Sequence, residues 1–202
     1  MNVLAIAGSL RDGSYNRRLL EAAVRCAPAD MDVRIYQHLP AIPLFNDDLQ
    51  AAGRSPHSVE ELRRAVKQSD GLLIATPEYN QSIPGVLKNA LDWLSLPAPD
   101  RILSGKPVAV LGASTGPWGT RLAQTALRQV LFATESRVLP GPALFVRGAE
   151  RLFDSSGRLR DQATETQLEE VLSAFANWIR LLSAPSSNGF RENDARRAVD
   201  VA

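Results

Sequence analysis

The chain has 202 residues, of which 45% are hydrophobic and 22% charged, and its formal net charge is +1. That length suits one domain with a substantial core, and the balanced charge excludes the basic field a nucleic-acid binder needs. A single cysteine, Cys26, leaves no internal disulfide or thiolate metal cluster to build, and no apolar run reaches the length of a membrane span.

The N-terminus enters an apolar run at Val3 to Ala7 without the charged and long apolar regions of a signal peptide, so a cytoplasmic protein is expected. Near-continuous apolar character marks Val3 to Ala7, Leu72 to Ala75 and Val108 to Ala113 as strands covered on both faces. Asp32 to Tyr36 alternates polar and apolar residues, which suits an edge strand with a wetter face. A fifth strand is expected at Arg137 to Leu139, with Leu144 to Val146 either extending it or beginning an excursion.

Helical periods separate these runs. Leu19, Leu20, Ala23, Val24 and Ala27 mark the first helix; Val59, Leu62, Ala65 and Val66 mark the second, where Ser58-Val59-Glu60-Glu61 reads as a capping box. Pro84 is placed in the first turn of the third helix. The apolar residues of that helix, Val86 to Leu94, sweep roughly 160°, wider than the ~100° stripe of one contact face; a subunit contact or a deeply seated helix would both explain the excess. Leu122 to Leu131 and Leu168 to Leu182 give the fourth and fifth helices.

Strict alternation of strands and helices predicts an α/β fold: a doubly wound, five-stranded parallel sheet with helices on both faces. The edge-like second strand favours the flavodoxin-like order 2-1-3-4-5. Residues 1–184 form the expected single domain. Residues 185–202 lack an apolar face and read as a flexible C-terminal arm.

Ligands of such sheets sit beyond the carboxyl ends of the strands, where three loops have unusual chemistry. The first, Gly8 to Asn16, joins two glycines to the donors Ser9, Arg11, Ser14 and Asn16 at a helix N-terminus, an arrangement suited to a phosphate. It is not a Walker A loop, because Ser14 stands where the lysine belongs, and Gly-x-Gly-x-x-Gly is missing. The second, Thr76 to Gly85, is stiffened by Pro77 and Pro84 and presents Tyr79 and Asn80 to a planar ligand. The third, Gly112 to Arg121, offers Ser114 and Thr115 as donors, with Gly116 for close approach and Trp118 as a possible aromatic flank.

The motifs Gly8-Ser9-Leu10-Arg11-x-Gly13-Ser14-x-Asn16 and Pro77-Glu78-Tyr79-Asn80-x-Ser82-x-Pro84-Gly85-x-Leu87-Lys88-Asn89-Ala90-x-Asp92-Trp93 resemble the NADPH-dependent FMN reductase family, which includes chromate, azo-dye and quinone reductases. The resemblance runs from about Val3 to Leu182. It implies FMN held at its phosphate by Ser9, Arg11, Ser14 and Asn16, with Tyr15 also among the cofactor-binding residues. Pro77, Glu78, Tyr79 and Asn80 would lie along the ring, and Ser114 and Gly116 would close the pocket, with the donor Thr115 between them. It also implies NADPH or NADH as hydride donor, a small electron acceptor, and a homodimer or homotetramer with active sites near subunit interfaces. Gly119-Thr120 departs from the paired glycines of many relatives, which touches acceptor shape more than FMN binding.

On this reading the chemistry is carried by FMN, no catalytic side chain is assigned and no metal is required. Hydride would pass from the nicotinamide to the flavin and then to the acceptor by a ping-pong mechanism. Three rival readings share some of these features. Gly112-x-Ser114-x-Gly116 mimics a nucleophile elbow, but His38 and His57 both precede Ser114. A cysteine phosphatase fails because Asp32 stands where the arginine should follow Cys26. A non-enzymatic FMN carrier or redox sensor keeps the same loops and remains the alternative.

Overall fold

The computed structural model describes residues 1–51, 54–95 and 101–184; the expected C-terminal arm lies outside them. In chain order the elements are β1 (Asn2–Ala7), α1 (Tyr15–Cys26), β2 (Asp32–Ile35), α2 (Asp47–Ala51), α3 (His57–Gln68), β3 (Gly71–Ala75), α4 (Gly85–Leu94), β4 (Pro107–Ala113), α5 (Arg121–Ala133), β5 (Arg137–Val138), β6 (Leu144–Val146) and α6 (Gln162–Ser183). All strand pairs are parallel and the order is β2-β1-β3-β4-β5, as the edge character of the second strand predicted.

The period-2 alternation of the strands divides two apolar layers. Val3, Ala5, Leu73, Ala75, Ala109 and Leu111 point to the layer formed by α1 and α6, where Leu19, Leu20, Leu168, Leu172 and Phe175 meet them. Leu4, Ile6, Leu72, Ile74, Val108 and Val110 point to the other layer, against Val59, Leu62, Leu87, Leu91 and Leu127 of α3, α4 and α5. Burial on both faces is why these strands read as unbroken apolar runs. On β2, Asp32 and Arg34 are exposed while Val33 is buried, which accounts for its alternation.

Four expectations are refined. β6 continues the line of the fifth strand: Leu144, Gly112's partner Phe145, and Val146 pair with the end of β4, after Pro140 and Pro142 interrupt the ladder donors. Ser58 caps nothing. It sits inside the first turn of α3, behind Pro56, and its hydroxyl donates to the Ala41 carbonyl at 3.0 Å. Pro84 is the N-cap of α4 rather than part of its first turn.

The wide arc of α4 needs no second subunit. Leu87, Ala90, Leu91, Trp93 and Leu94 are all buried within the chain. The segment after β2 covers the extra width: Trp93 Nε1 donates to the Pro43 carbonyl at 2.8 Å, and Phe45 stacks edge-on against the indole at 5.0 Å. Asn89 donates to that same carbonyl and accepts from the Phe45 amide. No helix among the described residues is long and apolar enough to cross a membrane.

Candidate functional site

Three of the parallel strands, β1, β3 and β4, release their loops at one edge. The Gly8 amide donates to the Ala75 carbonyl at 2.8 Å, so the first loop leaves β1 pressed against β3. A Cβ on Gly8 would stand 3.0 Å from Leu87 and 3.3 Å from Pro77, and only glycine permits that approach without displacing them. The loop then turns through Ser9 and Arg11 to Ser14, the N-cap of α1, whose hydroxyl oxygen accepts from the Arg17 amide at 3.3 Å. Capping uses a lone pair, so the Ser14 proton remains a donor. The amides of Tyr15 and Asn16 have no intrahelical carbonyl to bond and, with the helix dipole, give this end of α1 positive character. Tyr15 itself is fixed by Phe153, 5.8 Å away between centroids, and by the Arg18 guanidinium 5.5 Å from its ring.

The second loop is a rigid tongue. Tyr79 and Ser82 exchange both backbone hydrogen bonds at 3.0 Å, and the residues between them, Asn80 and Gln81, have φ of 52° and 64°. Positive φ at both central positions is the signature of a type I′ turn. Asparagine accepts it readily; for glutamine it stores strain of about 1 kcal/mol. Glu78 turns away from the tongue. Its Oε2 accepts from the amides of Leu122 and Ala123 at 2.8 and 3.0 Å, capping α5.

The third loop begins where Ala113 ends β4. Ser114 donates its amide to Val146 and accepts with its carbonyl from Ala149, while its hydroxyl oxygen accepts from the Gly116 amide at 3.0 Å. The loop ends at Gly119, where φ is +66° and a Cβ would crowd Phe145 at 3.1 Å. Thr120 follows with ordinary φ of −121°, fully buried beside Gly112. Trp118 is 74% exposed, and Arg121 lays its guanidinium 5.0 Å from the Phe145 ring.

Between the loops lies a cleft of about 150 Å³ lined by Ser9, Arg11, Ser14, Tyr15, Asn16, Pro77, Glu78, Tyr79, Ala113, Ser114 and Thr115. A second, shallower cavity of about 380 Å³ adjoins it through Arg11 and Tyr79 and adds Gly8, Leu10, Pro84, Gly85 and Val86. All the residues expected at the cofactor thus meet in one cleft, except Asn80 and Gly116, which stay off its lining. Ala113, Leu10 and Val86 were not foreseen as lining residues, because they contribute backbone and shape rather than donor side chains. Asn16 lines the cleft but is 3% exposed, and its amide is bonded to Ala113 at both ends.

The chemistry of this donor set fits a phosphate ester carrying a flat heterocycle. Serine hydroxyls, Arg11 and the α1 amides converge on one end, and the rigid tongue and the Ser114 loop flank the other. The one carboxylate on the lining, Glu78, has an oxygen engaged by two amides at the α5 N-terminus, where the helix dipole favours an anion. A cavity of about 390 Å³ at the opposite edge, lined by Asn2, Val3, Leu4, Arg34, Ala65, Gln68 and Ser69, lacks these features. It faces the carboxyl end of α3, where the dipole repels anions. Among the described residues no group of three or more His, Cys, Asp or Glu side chains is placed to hold a metal ion.

A family model described as NADPH-dependent FMN reductase matches residues 1–151. The chain is 43% identical over 182 residues to an NAD(P)H-dependent FMN reductase of Pseudomonas aeruginosa, a match covering 90% of this chain and 97% of that protein. It is 38% identical over 182 residues to a quinone reductase of Escherichia coli K12, covering 89% of this chain and 96% of the relative. Among solved structures, FerB, a flavoenzyme NAD(P)H:(acceptor) oxidoreductase from Paracoccus denitrificans, aligns with a TM-score of 0.81 at 34% identity, covering 89% of this chain and 97% of FerB.

Proposed function

The chain belongs to the NADPH-dependent FMN reductase family, and on that premise we propose that it binds FMN in the three-loop cleft and oxidises NAD(P)H by a ping-pong mechanism to reduce a small acceptor of the quinone type. The observation that carries this reading is the convergence, in one cleft at the carboxyl edge of the sheet, of a phosphate-type donor set and a rigid planar-ligand flank. FMN held there would supply the redox chemistry that links hydride donor to acceptor.

The protein's part is binding, orientation and electrostatics. Ser9, Ser14, Arg11 and the first amides of α1 are assigned to the phosphate. The tongue at Pro77 to Asn80 and the loop at Ser114 to Gly116 are assigned to the two borders of the ring. Because the mouth of the cleft is bounded by the exposed side chains of Leu10 and Tyr79, donor and acceptor would take turns at one open face, which is the structural basis of the ping-pong assignment. The same exposed apolar edge supports a homodimer or homotetramer with the site near a subunit boundary. A cytoplasmic location is part of this reading, since NAD(P)H is its hydride donor.

The test is the visible spectrum of the purified, FMN-loaded protein, recorded anaerobically before and after NADPH. Rapid bleaching of a bound flavin band is expected, and initial-rate plots against both substrates should give parallel lines. A bound flavin that NADPH does not bleach would instead identify a carrier or sensor. Failure to bind or turn over FMN would refute the proposal.

A further inference from the structure

We infer that Asn16 is a positioning residue for the flavin's ring border rather than a ligand of its phosphate, and that Glu78 does the same work from the opposite side. The inference rests on the FMN-binding reading and assigns two of its residues a role of their own.

The argument begins with the ladder. Along β4, Leu111 offers its carbonyl to Thr76 on the β3 side, whereas Ser114 bonds Val146 and Ala149 on the β6 side. Alternation therefore turns the polar groups of Ala113 toward β3. But β3 stops at Ala75, and beyond the Thr76 amide no backbone hydrogen bond among the described residues carries the ladder on to Ala113. Ala113 would be left with a buried N–H and a buried C=O unpaired.

Asn16 fills the missing place. Its Oδ1 accepts from the Ala113 amide at 2.9 Å and its Nδ2 donates to the Ala113 carbonyl at 2.9 Å, so the side-chain amide imitates one residue of a neighbouring strand. The side chain is buried, and only one amide hydrogen remains uncommitted. A residue whose two polar atoms are both bonded to the start of the third loop is poorly available to a phosphate.

The other end of that loop is held in the same way. Glu78, from the second loop, takes the amides of Leu122 and Ala123 with a single oxygen, Oε2. Residues 114–120 are thus clamped just before their start, at Ala113, by Asn16 of α1 and just after their end, at Leu122 and Ala123, by Glu78. The clamps fix where the Ser114 to Gly116 border lies, while Ser9, Arg11 and Ser14 remain for the phosphate.

FMN and riboflavin, which share the ring and differ in the phosphate, separate the two roles. For N16A we expect both dissociation constants to rise by a similar factor of about tenfold, as loss of about one buried hydrogen bond's free energy implies. Their ratio should stay near the wild-type value, whereas R11A should weaken FMN more than riboflavin. E78A should repeat the parallel loss and E78Q should restore it, because an amide oxygen can accept the same two hydrogen bonds. The E78A and E78Q pair carries the test if N16A does not fold. A selective loss of FMN in N16A, or unchanged affinity for both flavins in N16A and E78A, would overturn the inference. Wild-type protein that binds neither flavin would instead refute the underlying reading.

Discussion

Replacing Gly112 by alanine perturbs the point from which the second and third loops separate. A Cβ built there lies 2.0 Å from Thr120 Oγ1, 2.4 Å from the Thr76 carbonyl oxygen and 3.0 Å from Thr120 Cβ. Ordinary van der Waals contact needs roughly 3.5 Å, so the two oxygens are about 1 Å too close or worse. Thr120 can yield only by giving up the hydrogen bond it accepts from Gln124 at 3.1 Å. The Thr76 carbonyl has little freedom to turn away, because it lies in the peptide bond to Pro77, whose ring fixes the next φ. Overpacking and one lost buried hydrogen bond together cost about 3–4 kcal/mol, a large part of the 5–15 kcal/mol typical of a domain. Urea unfolding of the apoprotein, followed by tryptophan fluorescence, should show this loss with an unchanged m-value. The double variant G112A/T120G removes one wall and should recover about half of it. A G112A variant within about 0.5 kcal/mol of wild type would refute the steric reasoning, and complete recovery in the double variant would show that the Thr76 carbonyl is no wall.

Trp118 is exposed and has no hydrogen bond among the described residues, so W118A should change stability by less than about 0.5 kcal/mol while raising the KM for a quinone acceptor; steady-state kinetics beside a melting curve would check both, and an unchanged KM would remove the residue from the acceptor's path. Burial, with Glu165 3.6 Å from the sulfur, pushes the Cys26 thiol up to about 11. At pH 8 roughly a thousandth is then thiolate, and iodoacetamide should modify Cys26 far more slowly than free glutathione; rapid alkylation would contradict the burial. The Asp154 carboxylate is held well below its usual 3.8 by the Ser156 hydroxyl, the Arg158 and Ser156 amides and Arg160. A depressed folded-state pKa stabilises fully above the unfolded value and the benefit is lost as pH falls through the folded one. D154N should therefore melt below wild type at pH 7, the two converging only in strongly acid solution. A gap independent of pH would show that shape rather than charge is responsible.

The strands, their order and the three loops were legible in the sequence because they follow from local and periodic rules. Apolar runs buried on both faces, an alternating edge strand, and helix-period segments between them leave few topologies, and a parallel sheet puts its binding loops at one edge. Donor side chains such as Ser9, Arg11 and Ser14 are visible as donors wherever they stand. What the side chains bond is a different matter, since that depends on groups far apart in the chain. Asn16 and Ala113 are 97 residues apart and Glu78 and Leu122 are 44 apart, and no pattern marks Ala113 as lacking a strand partner. Ser58 shows the same limit on a smaller scale: its spacing matches a capping box, but the Ala41 carbonyl claims its hydroxyl. The breadth of α4 is decided likewise by Pro43 and Phe45 folding over Asn89 and Trp93. Periodicity and residue type determined which elements form and which edge gathers the donors. Only the tertiary structure decided which donors face the cleft and which are spent holding it in shape, because a hydrogen bond is assigned by proximity in space.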